Sequence, residues 1–340
     1  MKIVVIGASG NVGTAVLDAL HESGSGDDSV HAIARRRPEP LPPYAHTSWH
    51  EVDIADPRAS GRLEEVFAGA DVVVQLAWAI QPNHDRQALR DTNVDGSRRV
   101  FDALARAGVP HLVYVSSIGT YAPAVTSAPV DEQWPATGVR SSMYSTDKAA
   151  VETYLDEFER RHPATTVTRL RPALVMHRAA AEEIQRFFIG PVPRALFKVL
   201  RRGRLPMVPL PGALRMQVVH AVDLAAAVVA AIRTRLPGAV NIATDPVLSA
   251  EDLAQLVGKR LVPMPARLLR PIVHGAWRLR AVPVSPGWLD LAMRVPVMST
   301  RRARTELGWE PKVTARAAVQ DLLEGLAQGA GQPASPALRP

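Results

Sequence analysis

The stretch Lys2-Ile3-Val4-Val5-Ile6 runs directly into Gly7-Ala8-Ser9-Gly10-Asn11-Val12-Gly13, and a helical segment, Thr14–Glu22, follows. Few features constrain a fold more. A short β-branched run is a strand buried on both faces, and such strands belong to parallel sheets. Glycines at 7, 10 and 13 allow a tight turn and a close approach of backbone N–H groups to an anion at a helix N-terminus. A strand, a glycine turn and a helix in this order form a cradle for the pyrophosphate of a dinucleotide. Its place at the start of the chain strengthens that reading.

The rhythm continues. Val30–Ala34, Trp49–Ile54, Asp71–Leu76, His111–Val115 and Thr166–Leu170 read as strands. Leu63–Ala68, Thr92–Ala107 and residues 144–161 read as helices, the second stopped by Gly108-Val109-Pro110. Alternating strands and helices call for an α/β fold, a doubly wound parallel sheet of the Rossmann type covered by helices on both faces. After Pro172 the rhythm breaks. Val218–Ile232 reads as a short strand entering an apolar helix, Ala239–Ala243 as one more strand, and Leu248–Val257 as a helix opened by Ser249 with Asp252 three residues on. Arg267, Arg270, His274 and Arg278 fall on one side of a further helix. The expected division is a dinucleotide-binding domain over 1–172 and 215–243, a smaller, mostly helical C-terminal substrate domain over 173–214 and 244–328, and a disordered tail over 329–340.

A second motif is Tyr144-Ser145-Thr146-Asp147-Lys148. Tyr and Lys four residues apart share one face of a helix. A free tyrosine titrates near pH 10, and a neighbouring cation favours its phenolate, so the pair suits proton transfer. Ser116-Ser117 stands at the end of strand His111–Val115, the sheet edge where doubly wound folds bind ligands. Strand Val30–Ala34 ends in Arg35-Arg36-Arg37 and lacks the acid that binds both ribose hydroxyls in NAD sites. Arg35 and Arg36 suit a 2′-phosphate instead. NADP(H) is therefore favoured and NAD(H) remains possible.

Together, the Gly7–Gly13 turn and Tyr144–Lys148 resemble the short-chain dehydrogenase/reductase superfamily, and within it the extended branch, the NAD(P)-dependent epimerase/dehydratase family. The resemblance runs from Lys2 to about Leu326, with Ile6 where relatives often carry Thr. It implies a catalytic set of Ser117, Tyr144 and Lys148: Tyr144 exchanges a proton with an alcohol or ketone, Lys148 also holds the nicotinamide ribose, and Ser117 polarises the substrate oxygen. Ser117 is chosen over Ser116 because the family's reacting residue lies four before a Tyr, here Tyr121. The cofactor contacts so implied are Gly7, Ser9, Gly10, Asn11, Val12, Gly13, Arg35, Arg36, Asp53, Ile54, Leu76, Ala77, Trp78, Ser116, Tyr144, Lys148, Pro172 and Val175. Asn93 resembles the family's NVxG element and is expected to tie strands together. Gln217–Ala225, with His220 and Asp223, and Leu307-Gly308-Trp309-Glu310-Pro311 resemble elements that dock the second domain.

The implied function is hydride transfer between NADP(H) and an alcohol or ketone carbon of an apolar or mixed small molecule. Phe187, Phe188, Trp277 and Trp288 make the second domain apolar, although such residues also fill cores. Ile118-Gly119 after Ser117 departs from the Asp-Glu of sugar-nucleotide 4,6-dehydratases. Met176-His177-Arg178 and the register of Arg215 depart from nucleotide-sugar enzymes. A nucleotide-sugar epimerase is one alternative; a non-catalytic NADP(H)-binding redox sensor, which would usually lose the Tyr or the Lys, is another.

Charge is uneven: residues 1–150 carry 13 basic and 18 acidic side chains, residues 151–340 carry 27 and 15. The basic half could meet an anionic substrate, a phosphate or a membrane surface, or reflect plain arginine usage, since 35 of 40 basic residues are Arg. No basic run with interleaved aromatics suggests nucleic acid. The absence of Cys fits a cytoplasmic protein, no stretch suits an integral membrane segment, no paired spacing suits a metal, and a homodimer is expected by resemblance.

Overall fold

The computed structural model describes residues 1–23, 28–81, 84–124 and 128–338. Its strands are β1 (Lys2–Ile6), β2 (Ser29–Ala34), β3 (Ser48–Glu51), β4 (Val72–Gln75), β5 (His111–Val115), β6 (Thr166–Pro172), β7 (Leu174–Met176), β8 (Val208–Leu210), β9 (Arg215–His220), β10 (Gly238–Ile242), β11 (Thr244–Ser249) and β12 (Leu261–Pro263). Seven of them form one sheet in the order β10-β6-β5-β4-β1-β2-β3, every pair parallel. The chain winds outward from β1 through β2 to β3, then returns to β4 on the other side of β1. The switch point, and with it a ligand crevice, lies between β1 and β4 at the carboxyl edge.

β1 shows why the sheet needs cover on both faces. Ile3 and Val5 pack on one side with Val16, Leu17 and Leu20 of helix α1 (Asn11–Ser23). Val4 and Ile6 pack on the other with Leu63 and Phe67 of α2 (Ala59–Phe67). That second face is completed past α3 (Arg86–Arg90) by Phe101 and Leu104 of α4 (Gly96–Arg106) and Val151, Leu155 and Phe158 of α5 (Met143–Arg161). These side chains are almost wholly inaccessible. Burying each is worth about 1.5–3 kcal/mol, so the alternation within five residues fixes the register of the central strand.

A separate apolar cluster lies past β6. It joins Met176, Phe197, Val218, Leu248 and Leu256 to Ala315, Val319, Leu322 and Leu326. The helices there are α6 (Ala181–Ile184), α7 (Arg194–Arg201), α8 (Ala221–Thr234), α9 (Ala250–Val257), α10 (Ala266–Arg278), α11 (Pro286–Arg294), α12 (Arg301–Thr305) and α13 (Ala315–Gln328). Two of them return to the main sheet: α8 packs its Leu224 to Ile232 stripe beside α1, and α12 sets Ala303 in the same core next to β10. The joint between the two clusters is hydrogen-bonded. Asp223 accepts the backbone N–H groups of Lys312 and Val313, both at 2.9 Å, and its carbonyl accepts the indole N–H of Trp309 at 2.8 Å. Ser249 and Asp252 form the reciprocal cap that their spacing predicts.

Three expectations need correction. The third strand stops at Glu51, so Asp53 and Ile54 lie in the turn beyond it. The helix anticipated from Thr92 begins earlier, at Arg86, and runs through a π-helical turn at Asp91–Asp95 into Gly96–Arg106. Residues 329–338, expected as a disordered tail, are packed. Ser335 is fully buried and donates from Oγ to the Ser9 carbonyl at 2.6 Å, while Leu338 is buried nearby. The tail sequence is polar and proline-rich and offers no periodicity, so only its fit to the glycine turn orders it. Residues 339 and 340 lie outside the described set.

Candidate active site

The Gly7–Gly13 turn meets the switch point by direct contact. Gly7 has φ +81°, and a Cβ there would come within 2.7 Å of the Ala77 nitrogen. Both facts demand glycine. A Cβ on Gly13 would strike the Gly7 carbonyl, whereas Gly10 meets nothing nearer than 3.4 Å. Gly13 therefore lets the helix pack on the strand, and Gly10 leaves its outer side open to a ligand. Asn11, Val12 and Gly13 open α1, where the first N–H groups have no intrahelical acceptor and the helix dipole favours an anion. Ser9 is buried under the tail.

These residues fit a dinucleotide on independent grounds. The Trp78 indole N–H is buried and unpartnered, an orphaned donor in the crevice. Leu76 is held by its N–H to the Ile6 carbonyl at 2.9 Å, and Asn93 grips the backbone of Ala79 through both amide atoms, at 2.7 and 2.8 Å. Asn93 thus fixes the loop that carries Ala77 and Trp78. Arg35 and Arg36 are exposed at the end of β2. Arg36 donates to the Pro336 carbonyl at 3.3 Å, so the tail also reaches this edge. The Asp53 carboxylate accepts the Ala55 N–H, and Ile54 is buried against Gly96. Pro172 is buried at the end of β6, and Val175 sits in β7 opposite Val219.

Each residue of Tyr144–Lys148 except Thr146 has a partner outside its own helix. Ser142 caps α5. Ser145 accepts the Val139 N–H at 2.6 Å and donates to the Gly119 carbonyl, which stitches α5 to the turn after β5. Asp147 is buried in an ion pair with Arg86, with Arg90 at 3.7 Å. That stitching brings Tyr144 beside Ser117: a Cβ on Gly119 would lie 3.3 Å from Ser117 Oγ as well as against the tyrosine ring. The Tyr144 ring lies against Gly119, where a Cβ would come within 2.9 Å of it.

Burial pushes the Tyr144 phenol up to about 12, and the neighbouring Ser117 hydroxyl offsets only part of that. Burial also brings the Lys148 ammonium down to about 7 against the pull of Glu152. Lys148 Nζ donates to the Val115 carbonyl at 3.0 Å and lies 3.7 Å from the centre of the Trp78 ring, a cation–π contact. In the free protein the lysine ammonium is directed to the Val115 carbonyl and the Trp78 ring.

Ser116 is placed differently from Ser117. Its Oγ donates to Glu152 at 2.6 Å, and Glu152 receives a two-point contact from Arg171. Arg171 also donates to the Tyr121 hydroxyl at 3.0 Å, which donates to Asn241 at 2.6 Å. Arg171 beside it holds the Glu152 carboxyl low against its burial. This buried network lies directly beneath the site, and sequence reading missed Glu152. The signal was available: Tyr144, Lys148 and Glu152 are spaced by four along one helix face.

Three aromatic rings wall the tyrosine. Trp78 is 5.8 Å and Trp288 4.8 Å from the Tyr144 ring, and Phe188 is 4.9 Å from Trp288. None of the three is fully buried. Phe187 sends its carbonyl to Gln81, and Trp277 stacks on His84 farther along the same wall of the molecule. His177 leans on the phosphate turn, its Nδ1 3.1 Å from Asn11 Oδ1.

The model of the NAD dependent epimerase/dehydratase family matches residues 3–243, most of the chain. The chain belongs to that family. An N-acetyl-alpha-D-glucosaminyl-diphospho-ditrans,octacis-undecaprenol 4-epimerase of Escherichia coli O157:H7 is 27% identical over 176 residues, 51% of this chain and 49% of its own length. An uncharacterized protein of Mycobacterium tuberculosis is 26% identical over 325 residues, 94% of this chain but 29% of its own length. The chain thus spans well under two thirds of these relatives. Among solved structures, the UDP-glucose 4-epimerase of Thermotoga maritima with UDP-glucose superposes with a TM-score of 0.70 at 21% identity, covering 97% of this chain and 99% of that one. That likeness establishes the epimerase/dehydratase fold. No helix among the described residues is long and apolar enough to cross a membrane.

Proposed function

We infer that the protein is an NADP(H)-dependent oxidoreductase acting on an alcohol or ketone carbon of an apolar or mixed small molecule. The observation that carries this reading is the placing of Ser117 and Tyr144 side by side against Gly119 at the sheet edge, with the tyrosine ring beside Trp78 and Trp288 and Phe188 next to Trp288. A bound nicotinamide supplies the two-electron chemistry as hydride acceptor or donor. The chain's own residues supply the rest. Ser117 Oγ polarises the substrate oxygen, and Tyr144 Oη exchanges the proton at that same oxygen. With its phenol near 12 in the free protein, Tyr144 stands ready as a proton donor at neutral pH, which suits ketone reduction. Lys148 Nζ, held over Trp78, is the group that can turn to a ribose hydroxyl. Arg35 and Arg36 support a 2′-phosphate over a free ribose pair.

Epimerisation is the second reading, favoured by the names of the relatives. It uses the same tyrosine with no net change in the cofactor. The residues against it are Met176-His177-Arg178, where His177 fills the space beside the phosphate turn. A silent redox sensor would not need the Ser117–Tyr144 pair that this chain retains.

The test is a titration with NADPH and with NADH, followed by apolar ketones and nucleotide sugars offered to the NADPH-loaded protein. The expected result is tighter binding of NADPH, weakened about tenfold by Arg35→Ala with Arg36→Ala, and NADPH consumption with a ketone. Equal binding of the two cofactors would overturn the NADP reading. Interconversion of a nucleotide sugar without net cofactor consumption would make the protein an epimerase.

A further inference from the structure

Two stretches of the C-terminal region carry no acid at all. Between Glu183 and Asp223 there are seven cations, and between Asp252 and Asp290 there are six. The fold joins these stretches. β8 pairs with β12, the Val208 N–H donates to the Arg260 carbonyl at 2.8 Å, and the Lys259 N–H donates to the Leu205 carbonyl at 2.8 Å. Helix α10 lies in the second stretch, and its composition is unusual for an exposed helix. Leu268, Ile272 and Leu279, spaced four and seven apart, form one stripe and are 56%, 64% and 83% exposed. Arg267, His274 and Arg278 flank that stripe, all exposed. Arg267 and Arg278 form no ion pair among the described residues, whereas Arg270 is committed to Asp290. Trp277 and Leu269 turn away from the stripe, Trp277 onto His84. At the joint itself Met207 is 60% exposed beside the cations Arg204 and Lys259.

A soluble surface helix ordinarily turns its apolar stripe inward. Here the stripe faces out, with Arg267, His274 and Arg278 along one side of it. We propose that α10 and the basic joint beside it form a docking surface for an anionic lipid bilayer, with Leu268, Ile272 and Leu279 seated at the headgroup–acyl boundary. Charge complementarity selects this occupant: arginines meet lipid phosphates while leucine and isoleucine enter the acyl region. A nucleic acid would use the same cations but would leave the apolar stripe in water. A helix of 13 residues with this charge lies on a bilayer and does not span it. The inference rests on the exposed residues of α10 and does not depend on the reaction proposed above.

The experiment is flotation of the full chain with vesicles of phosphatidylglycerol mixed with phosphatidylcholine, against vesicles of phosphatidylcholine alone. The protein is expected to float with the anionic vesicles and to be released by salt. Ile272→Ser with Leu268→Ser should reduce partitioning at least about tenfold. Arg267→Gln and Arg278→Gln should each reduce it about fivefold. NADPH binding, read by its shift of the thermal midpoint, should stay unchanged in all of them, which certifies the fold. Three outcomes would overturn the proposal: no flotation with anionic vesicles; flotation unaffected by these variants; or a concentration-dependent dimer that Ile272→Ser dissolves, which would make the stripe a contact between copies. Retention of duplex DNA without vesicle binding would likewise assign the surface to nucleic acid.

Discussion

Lys148 is held far from its free state. Its folded value near 7 lies well below the ordinary 10.5, because burial disfavours the ammonium. The unfolded chain binds one more proton than the folded one between those values, so wild-type stability rises with pH across that window. Below pH 7 both states are protonated and the full cost of burying the charge remains. Lys148→Met is therefore expected to melt higher than wild type at pH 6, by about 1–3 kcal/mol, and the gain should shrink as pH rises from 7 toward 10.5. A gain independent of pH, read by thermal melts across that range, would contradict the assignment. Glu152 behaves oppositely. Glu152→Gln leaves Arg171 buried without its counter-charge, and a loss of about 3–5 kcal/mol is expected in denaturant melts.

At the scale of elements, the glycine turn and helix α5 decide where the chemistry sits. Gly13→Val would drive a side chain into the Gly7 carbonyl, and the turn can relieve that only by lifting α1 off β1. The expected result is loss of dinucleotide binding beyond about a hundredfold, or failure to fold, read by fluorescence titration and melting. Gly61→Ala is the control, since nothing lies within 4 Å of that position. The same elements show what could be read in advance. β1 and β5 were legible to the residue because their apolar runs are bounded by a glycine turn and by Gly108-Val109-Pro110 on one side and Ser116-Ser117 on the other. β3 was overextended because Asp53 and Ile54 continue an apolar–polar alternation that the backbone abandons for a turn. Ser117, Tyr144 and Lys148 could be named from motif and spacing. The neutralising Trp78 contact could not, because it depends on how the loop held by Asn93 folds over a lysine more than fifty residues later. Glu152 and Arg171 were legible only as a pair, and their pairing is a tertiary fact.

For the whole molecule, the tail and the inter-cluster joint are the long-range ties. Ala334, Ser335 and Leu338 are buried against the first half of the chain, and Glu39 donates to the Ala334 carbonyl at 2.9 Å. Removing residues 329–340 exposes this seam and the Tyr44 hydroxyl beneath it, bonded to Thr14 at 2.8 Å. A loss of about 2 kcal/mol is expected from the buried leucine alone, visible as a lower denaturant midpoint. Asp223→Ala removes the acceptor of two backbone N–H groups and should cost about 2–3 kcal/mol. It should also loosen the region that carries Phe188 and Trp288 relative to the sheet, raising KM more than it lowers kcat. An equal fall in kcat with KM unchanged would show that the joint does not set the substrate wall.

The central claim is that Tyr144 moves the proton at a carbon oxidised or reduced by the bound nicotinamide. Its most direct test is the rate of NADPH consumption by Tyr144→Phe beside wild type, with the ketone that wild type turns over fastest. Phenylalanine keeps the ring contacts with Trp78 and Trp288 and removes only the hydroxyl. The account predicts a fall of about a thousandfold in kcat with NADPH affinity within about twofold of wild type. Turnover at the wild-type rate would contradict it.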